Sequence, residues 1–271
     1  MLIKTLVENT ALTPEFQTEH GLSLYIETTQ HKLLFDVGAD ALFIENAQKL
    51  GVKLSDIDLV IISHGHHDHG GGLAAFLAVN DHACIYYQKG AFEPHFAQTA
   101  TGGQRFIGLE PQLVTNPRLL AVDGDLVLDE ELTLLSNVTG HKYWSGANAT
   151  LLDANLVPDA FAHEQNLSIK QGTQTILITG CSHTGIINIL ERFEQHTHHT
   201  AAVVIGGFHL YNPGLKQTEP LALIATIAQE LALRPTQYYT CHCTGQEAFA
   251  QLQARLGSQL QYLATGQILE I

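Results

Sequence analysis

Apolar and polar positions along the chain switch between a period of about two and a period of about 3.6 residues, the mark of strands interleaved with helices. Residues 22–27 and 32–36 read as two strands joined by the polar Thr28, Thr29, Gln30 and His31, a hairpin. A helix follows over 41–50, with apolar side chains at 42, 43, 47 and 50. The apolar run 57–62 reads as a buried strand, and Gly70, Gly71 and Gly72 lead from a polar loop into a short apolar helix over 73–79. Residues 83–87 give another strand. From 88 to about 117, glycine, proline and scattered aromatics break both periods, and the reading there is an irregular insertion or lid.

The second half repeats the style without repeating the sequence. Residues 119–122, 126–128 and 132–137 read as short strands, and 166–170 with 175–179 as a second hairpin turning at Gly172. Helices are expected over 186–196, 220–233 and 248–256, strands over 201–205 and 237–240, and two short strands close the chain. Two mixed halves of this kind predict an α/β sandwich, two sheets face to face with helices on the outer faces. No composition break marks a linker, so residues 1–271 are counted as one domain.

Candidate chemistry is concentrated after the strand at 57–62. Between His64 and His69, four histidines and one carboxylate occupy five of six positions. At the end of a rigid strand such a loop can aim several imidazoles at one point. Imidazole with carboxylate suits Zn²⁺, Mn²⁺ or Fe in a catalytic role, and suits a structural zinc poorly because such sites favour thiolates. His64 and His66, two apart in extended chain, point the same way and can share one metal. Asp68 and His69 follow a turn and can face a second metal, while His67 is expected to point away. Paired metals lower the pKa of a bound water to about 7 and stabilise attacking and leaving oxygens. Their hydroxide is the expected nucleophile, with Asp68 orienting it or accepting its proton.

Four donors cannot satisfy two metals, so later strand ends must supply more. His183 follows the strand at 175–179, and His242 follows the strand at 237–240. Cys181 is either a soft ligand, favouring zinc or iron over manganese, or a small buried residue beneath the site. His209, one residue past Gly206, Gly207 and Phe208, is read as a substrate or leaving-group contact acting as general acid, with ligation as the competing role. Asp36 either holds a ligand imidazole by its second nitrogen or stabilises the turn before Gly38. His95, His141, His163 and Glu164 are open as lid or pocket residues. His31, His82, His196, His198 and His199 lie in polar connections and are read as surface residues. The three glycines after His69 lack the lysine and spacing of a phosphate-binding P-loop and are read as room for backbone near the metals.

Composition narrows the partners. The chain has 271 residues, 45% hydrophobic and 15% charged, the balance of a soluble globular protein. No apolar run approaches the ~20 residues that cross a bilayer, and the start lacks the pattern of a secretory leader, so no membrane partner is expected and the cytoplasm is the expected location. A net charge of −14 disfavours nucleic acid and leaves a small-molecule substrate. Cys84, Cys181, Cys241 and Cys243 are too few and too irregularly spaced for a disulfide framework and are read as thiols.

The pattern His64-x-His66-x-Asp68-His69 after an apolar strand resembles the signature of the metallo-β-lactamase superfamily. Further blocks resemble one subfamily: 19–24 (Glu-His-Gly-Leu-Ser-Leu), 34–38 (Leu-Phe-Asp-Val-Gly), 180–186 (Gly-Cys-Ser-His-Thr-Gly-Ile), 205–210 (Ile-Gly-Gly-Phe-His-Leu) and 242–245 (His-Cys-Thr-Gly). That subfamily holds archaeal dihydropterin-linked aminobenzene ribofuranosyl phosphate synthases and bacterial metal-dependent hydrolases. The resemblance implies an αββα sandwich with two divalent metals, zinc foremost, held by His64, His66, Asp68, His69, Cys181, His183 and His242. In the wider superfamily a carboxylate after a strand and a glycine bridges the metals, and Cys181 stands in the comparable pattern. Cys241 departs from the glycine that related sequences carry. Asn9, Glu19 and His20 are placed near the pocket by the resemblance alone. The expected function is a dinuclear metal-dependent hydrolase of a phosphoester, pyrophosphate or lactone-like small molecule. The alternatives are a transferase displacing pyrophosphate from a pterin-methyl diphosphate, and a non-catalytic metal-binding sensor.

Overall fold

Hydrophobic strands that must be covered on both faces dictate the architecture. The computed structural model describes residues 1–99 and 101–271 and contains two seven-stranded sheets. In spatial order the first sheet is Ile268–Glu270, Leu2–Val7, Ser23–Glu27, Lys32–Phe35, Leu59–Ile62, Cys84–Gln88 and Leu119–Val122. The second is Leu260–Tyr262, Gln237–Thr240, Val203–Gly206, Gln174–Ile178, Asn166–Gln171, Leu132–Leu135 and Leu126–Val127. Each sheet is antiparallel on one side and parallel on the other, because hairpins build one side and helical crossovers the other.

The alternation of side chains assigns each strand to two cores. Leu33 and Phe35 of Lys32–Phe35 join a core between the sheets, whereas Leu34 faces outward. Ile176 and Ile178 of Gln174–Ile178 meet them from the opposite sheet, and Leu177 faces its own helical layer. Helices Leu42–Lys49 and Leu73–Val79 cover the first sheet. Ile186–Thr197, Leu221–Ala232 and Gln246–Leu256 cover the second. The result is the αββα sandwich expected from the sequence. Each fully buried Leu, Ile or Val contributes on the order of 1.5–3 kcal/mol.

Two regions differ from the sequence reading. Leu2–Val7 is a strand inside the first sheet, although residues 1–7 carry no clean alternation. Its register against Ser23–Glu27 shifts between Thr5 and Val7, and that irregularity erases the period of two. The irregular span 88–117, whose residue 100 lies outside the described residues, contains strands Phe96–Gln98 and Gln104–Phe106, which form a small sheet with Leu151–Leu152. Strands of two or three residues are too short to leave a readable period.

The loop after Leu59–Ile62 carries a single helical turn, His67–Gly70. The glycines that follow let backbones meet. A Cβ on Gly71 would sit 2.3 Å from the Ala39 carbonyl oxygen, and one on Gly72 would sit 2.4 Å from that of Val37. This is room for backbone, as the sequence suggested.

Candidate metal centre

Every predicted donor lies just past the carboxyl end of a parallel strand, where open α/β sheets place ligand sites. Asp36 follows Lys32–Phe35, His64 follows Leu59–Ile62, Cys181 and His183 follow Gln174–Ile178, His209 follows Val203–Gly206, and His242 follows Gln237–Thr240. The chain turns sharply there. Asp36, Ser182, His209 and His242 have φ of 60°, 60°, 49° and 52°, left-handed values that non-glycine residues keep only where their surroundings hold them.

These turns gather two groups of donor atoms. In the first, His64 Nε2 lies 3.0 Å from His66 Nδ1 and 3.3 Å from His183 Nε2. In the second, His242 Nε2 lies 3.2 Å from His69 Nε2 and 3.3 Å from Asp68 Oδ2, with His69 Nε2 3.8 Å from the same oxygen. Cys181 Sγ stands 3.1 Å from His69 Nε2, and its sulfur lies within 4.8 Å of donors from both groups. His64, His66, His69, Cys181, His183 and His242 are buried, and Asp68 is partly exposed. His67 is exposed and belongs to neither group.

The far sides of the rings explain why these nitrogens can act as donors. His69 Nδ1 donates to Asp36 Oδ2 at 2.6 Å, His242 Nδ1 to Asn9 Oδ1 at 2.9 Å, and His183 Nδ1 to Asn148 Oδ1 at 3.0 Å. The Ser63 hydroxyl donates to Asp36 Oδ2 at 2.7 Å and so accepts from His64 Nδ1 at 2.9 Å. With the proton fixed on Nδ1, the rings of His64, His183 and His242 turn an Nε2 lone pair inward, and His69 offers one once its second proton is displaced. Lone pairs about 3 Å apart repel one another unless a cation lies among them, so the donor set fits bound metal ions.

The electrostatics agree. Burial, reinforced by neighbouring imidazoles, holds His64 and His183 well below the usual histidine value, so both are neutral, the form that binds metal. Burial would also depress His69, but Asp36 and Asp68 push it up to about 9. Burial raises the Asp68 carboxyl, yet His69, His20 and His242 hold it well below the usual carboxylate range. Two carboxylates thus require positive charge at His69, as a proton or as a divalent cation.

Other predicted residues take distinct places. Asp36 holds a donor ring, as one of its two sequence readings had it. Asn9 does the same for His242, and the half-exposed His20 places Nε2 3.3 Å from Asp68 Oδ2. Glu19 instead accepts the backbone N–H groups of Ala39 and Asp40 at 2.9 and 3.3 Å and braces that loop. His209 lies with its ring 4.1 Å from that of His183, buried, with neither ring nitrogen hydrogen-bonded. A buried imidazole left so has donor and acceptor capacity available to an incoming group. Cys241 packs in the core between the sheets.

Three supporting residues were missed or left open by the sequence reading. Glu8 Oε1 accepts the His242 N–H at 2.7 Å and the Tyr262 hydroxyl at 2.5 Å. Glu164 accepts the His183 and Thr184 N–H groups at 2.6 and 3.0 Å. Asn148 sits in an irregular loop with no pattern to mark it. Glu8, a lone carboxylate after an apolar run, was a usable signal.

Comparison with known proteins follows the same lines. The family model of the metallo-beta-lactamase superfamily matches residues 18–152, which include the loop from His64 to His69. An uncharacterized protein of Methanocaldococcus jannaschii is 29% identical over 275 residues, 98% of each chain. A 7,8-dihydropterin-6-methyl-4-(beta-D-ribofuranosyl)-aminobenzene-5'-phosphate synthase from the same organism is 26% identical over 294 residues, 99% of this chain and 96% of its own. A solved metal-dependent hydrolase of the beta-lactamase superfamily is 27% identical with a TM-score of 0.81, covering 100% of this chain and 99% of that one. Signature loop, sandwich and similarity across the whole length together give this chain the metallo-β-lactamase fold and make it similar to proteins of that superfamily.

Proposed function

We propose that the chain is a metal-dependent hydrolase whose two donor groups each take one divalent cation, zinc before iron or manganese. The substrate class is a phosphoester, pyrophosphate or lactone-like small molecule. The observation that supports this reading is the convergence of the Nε2 atoms of His64, His69, His183 and His242, each ring held from behind by its own acceptor. Divalent cations bound there would acidify water and stabilise developing negative charge on oxygen. Asp68, partly exposed beside His20, is the group that orients the water and accepts its proton. His209, with both nitrogens unpaired, is the group that donates to the leaving oxygen. The soft sulfur of Cys181 beside His69 favours zinc or iron.

A second reading is a transferase that displaces pyrophosphate from a pterin-methyl diphosphate. It is supported by 26% identity, over nearly the whole length, to the synthase of Methanocaldococcus jannaschii. It uses the same donors but a pocket that keeps water from the electrophile.

The test is elemental mass spectrometry of tag-free protein, paired with a hydrolysis screen over phosphodiesters, phosphomonoesters and lactones. Two metals per chain with hydrolysis support the first reading. Two metals without hydrolysis favour the transferase, and one or none favours a metal-binding sensor. His66→Ala is expected to lose metal and turnover while its circular dichroism is unchanged. Unchanged metal content would overturn the assignment.

A further inference from the structure

Behind the first donor group lies a second histidine cluster that the chemistry above does not use. His163 Nδ1 accepts the backbone N–H of Gly65, the residue between His64 and His66, at 3.0 Å. That ring must then carry its proton on Nε2, which donates to Asp159 Oδ2 at 3.1 Å. His95 Nδ1 lies 3.0 Å from the same oxygen, and His95 Nε2 donates to the Gly90 carbonyl at 3.2 Å. Both nitrogens of His95 thus face oxygen atoms of the cluster. Asp159 Oδ1 is also used, accepting the Phe161 N–H at 2.7 Å. His95, Asp159 and His163 are 3%, 8% and 4% exposed, so water does not compete for these bonds. Burial would raise the Asp159 carboxyl, but the bonds from His163 and His95 hold it far below the usual carboxylate range, and burial lowers His163 into its neutral form.

The cluster joins three segments distant in sequence. His95 belongs to the span 88–117, Asp159 and His163 to the loop before Asn166–Gln171, and Gly65 to the metal loop. The approach is close: a Cβ on Gly65 would lie 2.3 Å from the Ala91 carbonyl oxygen and 2.7 Å from His95 Nε2. A second tie runs beside it, with the His67 N–H donating to Ile107 O at 2.7 Å and the Ile107 N–H to His95 O at 2.9 Å.

We infer that His163, oriented by Asp159 and His95, is a positioning residue that fixes the Gly65 peptide and thereby the relative aim of His64 and His66. This rests on the reading of His64, His66 and His183 as a metal-binding group. Asp68, His69 and His242 of the other group make no hydrogen bond to His95, Asp159 or His163, so the effect is confined to one of two metal-binding steps. A general structural role would instead weaken both.

The experiment is zinc titration of the metal-free full-length chain against a competing chelator, with His66→Ala and His242→Ala identifying the two steps. His163→Leu is expected to weaken the step lost in His66→Ala by about 10- to 100-fold and to leave the step lost in His242→Ala unchanged. His163→Gln, whose amide can accept from Gly65 and donate to Asp159, restores most of the affinity. Should His163→Leu fail to melt cooperatively, Asp159→Asn carries the test with the same single-step loss expected. Equal weakening of both steps, no weakening, or a His163→Gln as poor as His163→Leu overturns the inference. A wild-type chain lacking the zinc step assigned to His66 would overturn the two-group reading itself, whereas two-step binding indifferent to His163→Leu overturns the positioning role alone.

Discussion

At His69 a single ring answers to two carboxylates, Asp36 at 2.6 Å behind it and Asp68 at 3.8 Å in front. Its value, pushed up from 6.5 to about 9, is a statement about linkage. In the metal-free protein the folded state favours the imidazolium. That contribution is complete below the unfolded value of 6.5 and is lost as pH rises through about 9. Zinc needs the same nitrogen without its proton. Zinc uptake at neutral pH is therefore expected to release roughly one proton from this ring, and affinity at this step to rise with pH until about 9 and then level. Calorimetry in buffers of different ionisation enthalpy counts the proton, and no release at neutral pH would contradict the account. His69 was legible in the sequence because it sits in the run from His64. The carboxylate that tunes it was only half legible, since Asp36 before Gly38 reads equally well as a turn residue.

The strand Leu2–Val7 shows how an element can matter through what it leads to. It ends at Glu8 and Asn9, and these two residues hold His242 by its backbone N–H and its Nδ1. Asn9→Ala keeps the backbone bond from Glu8 and removes the acceptor behind the ring, together with longer contacts of the same amide to His20 Nδ1, the Gly21 N–H and the His242 carbonyl. Zinc affinity at the step lost in His242→Ala is expected to fall by about 10- to 100-fold with the other step unchanged. Competition with a chelator reads it directly, and a loss at the His66 step instead would assign Asn9 to the wrong group. The hairpins and longer helices were legible because strict periods of two and about 3.6 mark them. Leu2–Val7 was not, because its bulge breaks the period, nor were Phe96–Gln98 and Gln104–Phe106, which are too short to show one, the first also pairing with Leu151–Leu152 far along the chain.

Across the whole molecule the donors bridge the two sheets. His64, His66, Asp68 and His69 follow a strand of the first sheet, while Cys181, His183 and His242 follow strands of the second. Cations shared between them would bind the folded state and not the unfolded chain. Stripping metal with a chelator is expected to lower the melting temperature, with saturating zinc restoring about 4 kcal/mol at a free concentration a thousandfold above Kd. Scanning calorimetry with and without chelator checks this, and an indifferent melting temperature would mean that metal does not join the sheets. Among the described residues no helix is long and apolar enough to cross a membrane.

The sequence by itself determined the layered α/β architecture and the nature of the donors, because hydrophobic period and residue chemistry are local properties of the chain. His64, His66, Asp68 and His69 could be divided between two groups from spacing alone. Only the tertiary structure decided that His183 joins the first group and His242 the second, that Cys181 stands beside His69, and that His209 is buried with both nitrogens free. It alone supplied Glu8, Asn148 and the His95, Asp159 and His163 cluster. Those contacts join residues separated by tens to hundreds of positions. Which ones meet depends on the order of strands in the sheets and on left-handed turns at their ends, neither of which leaves a periodic trace in the amino-acid pattern.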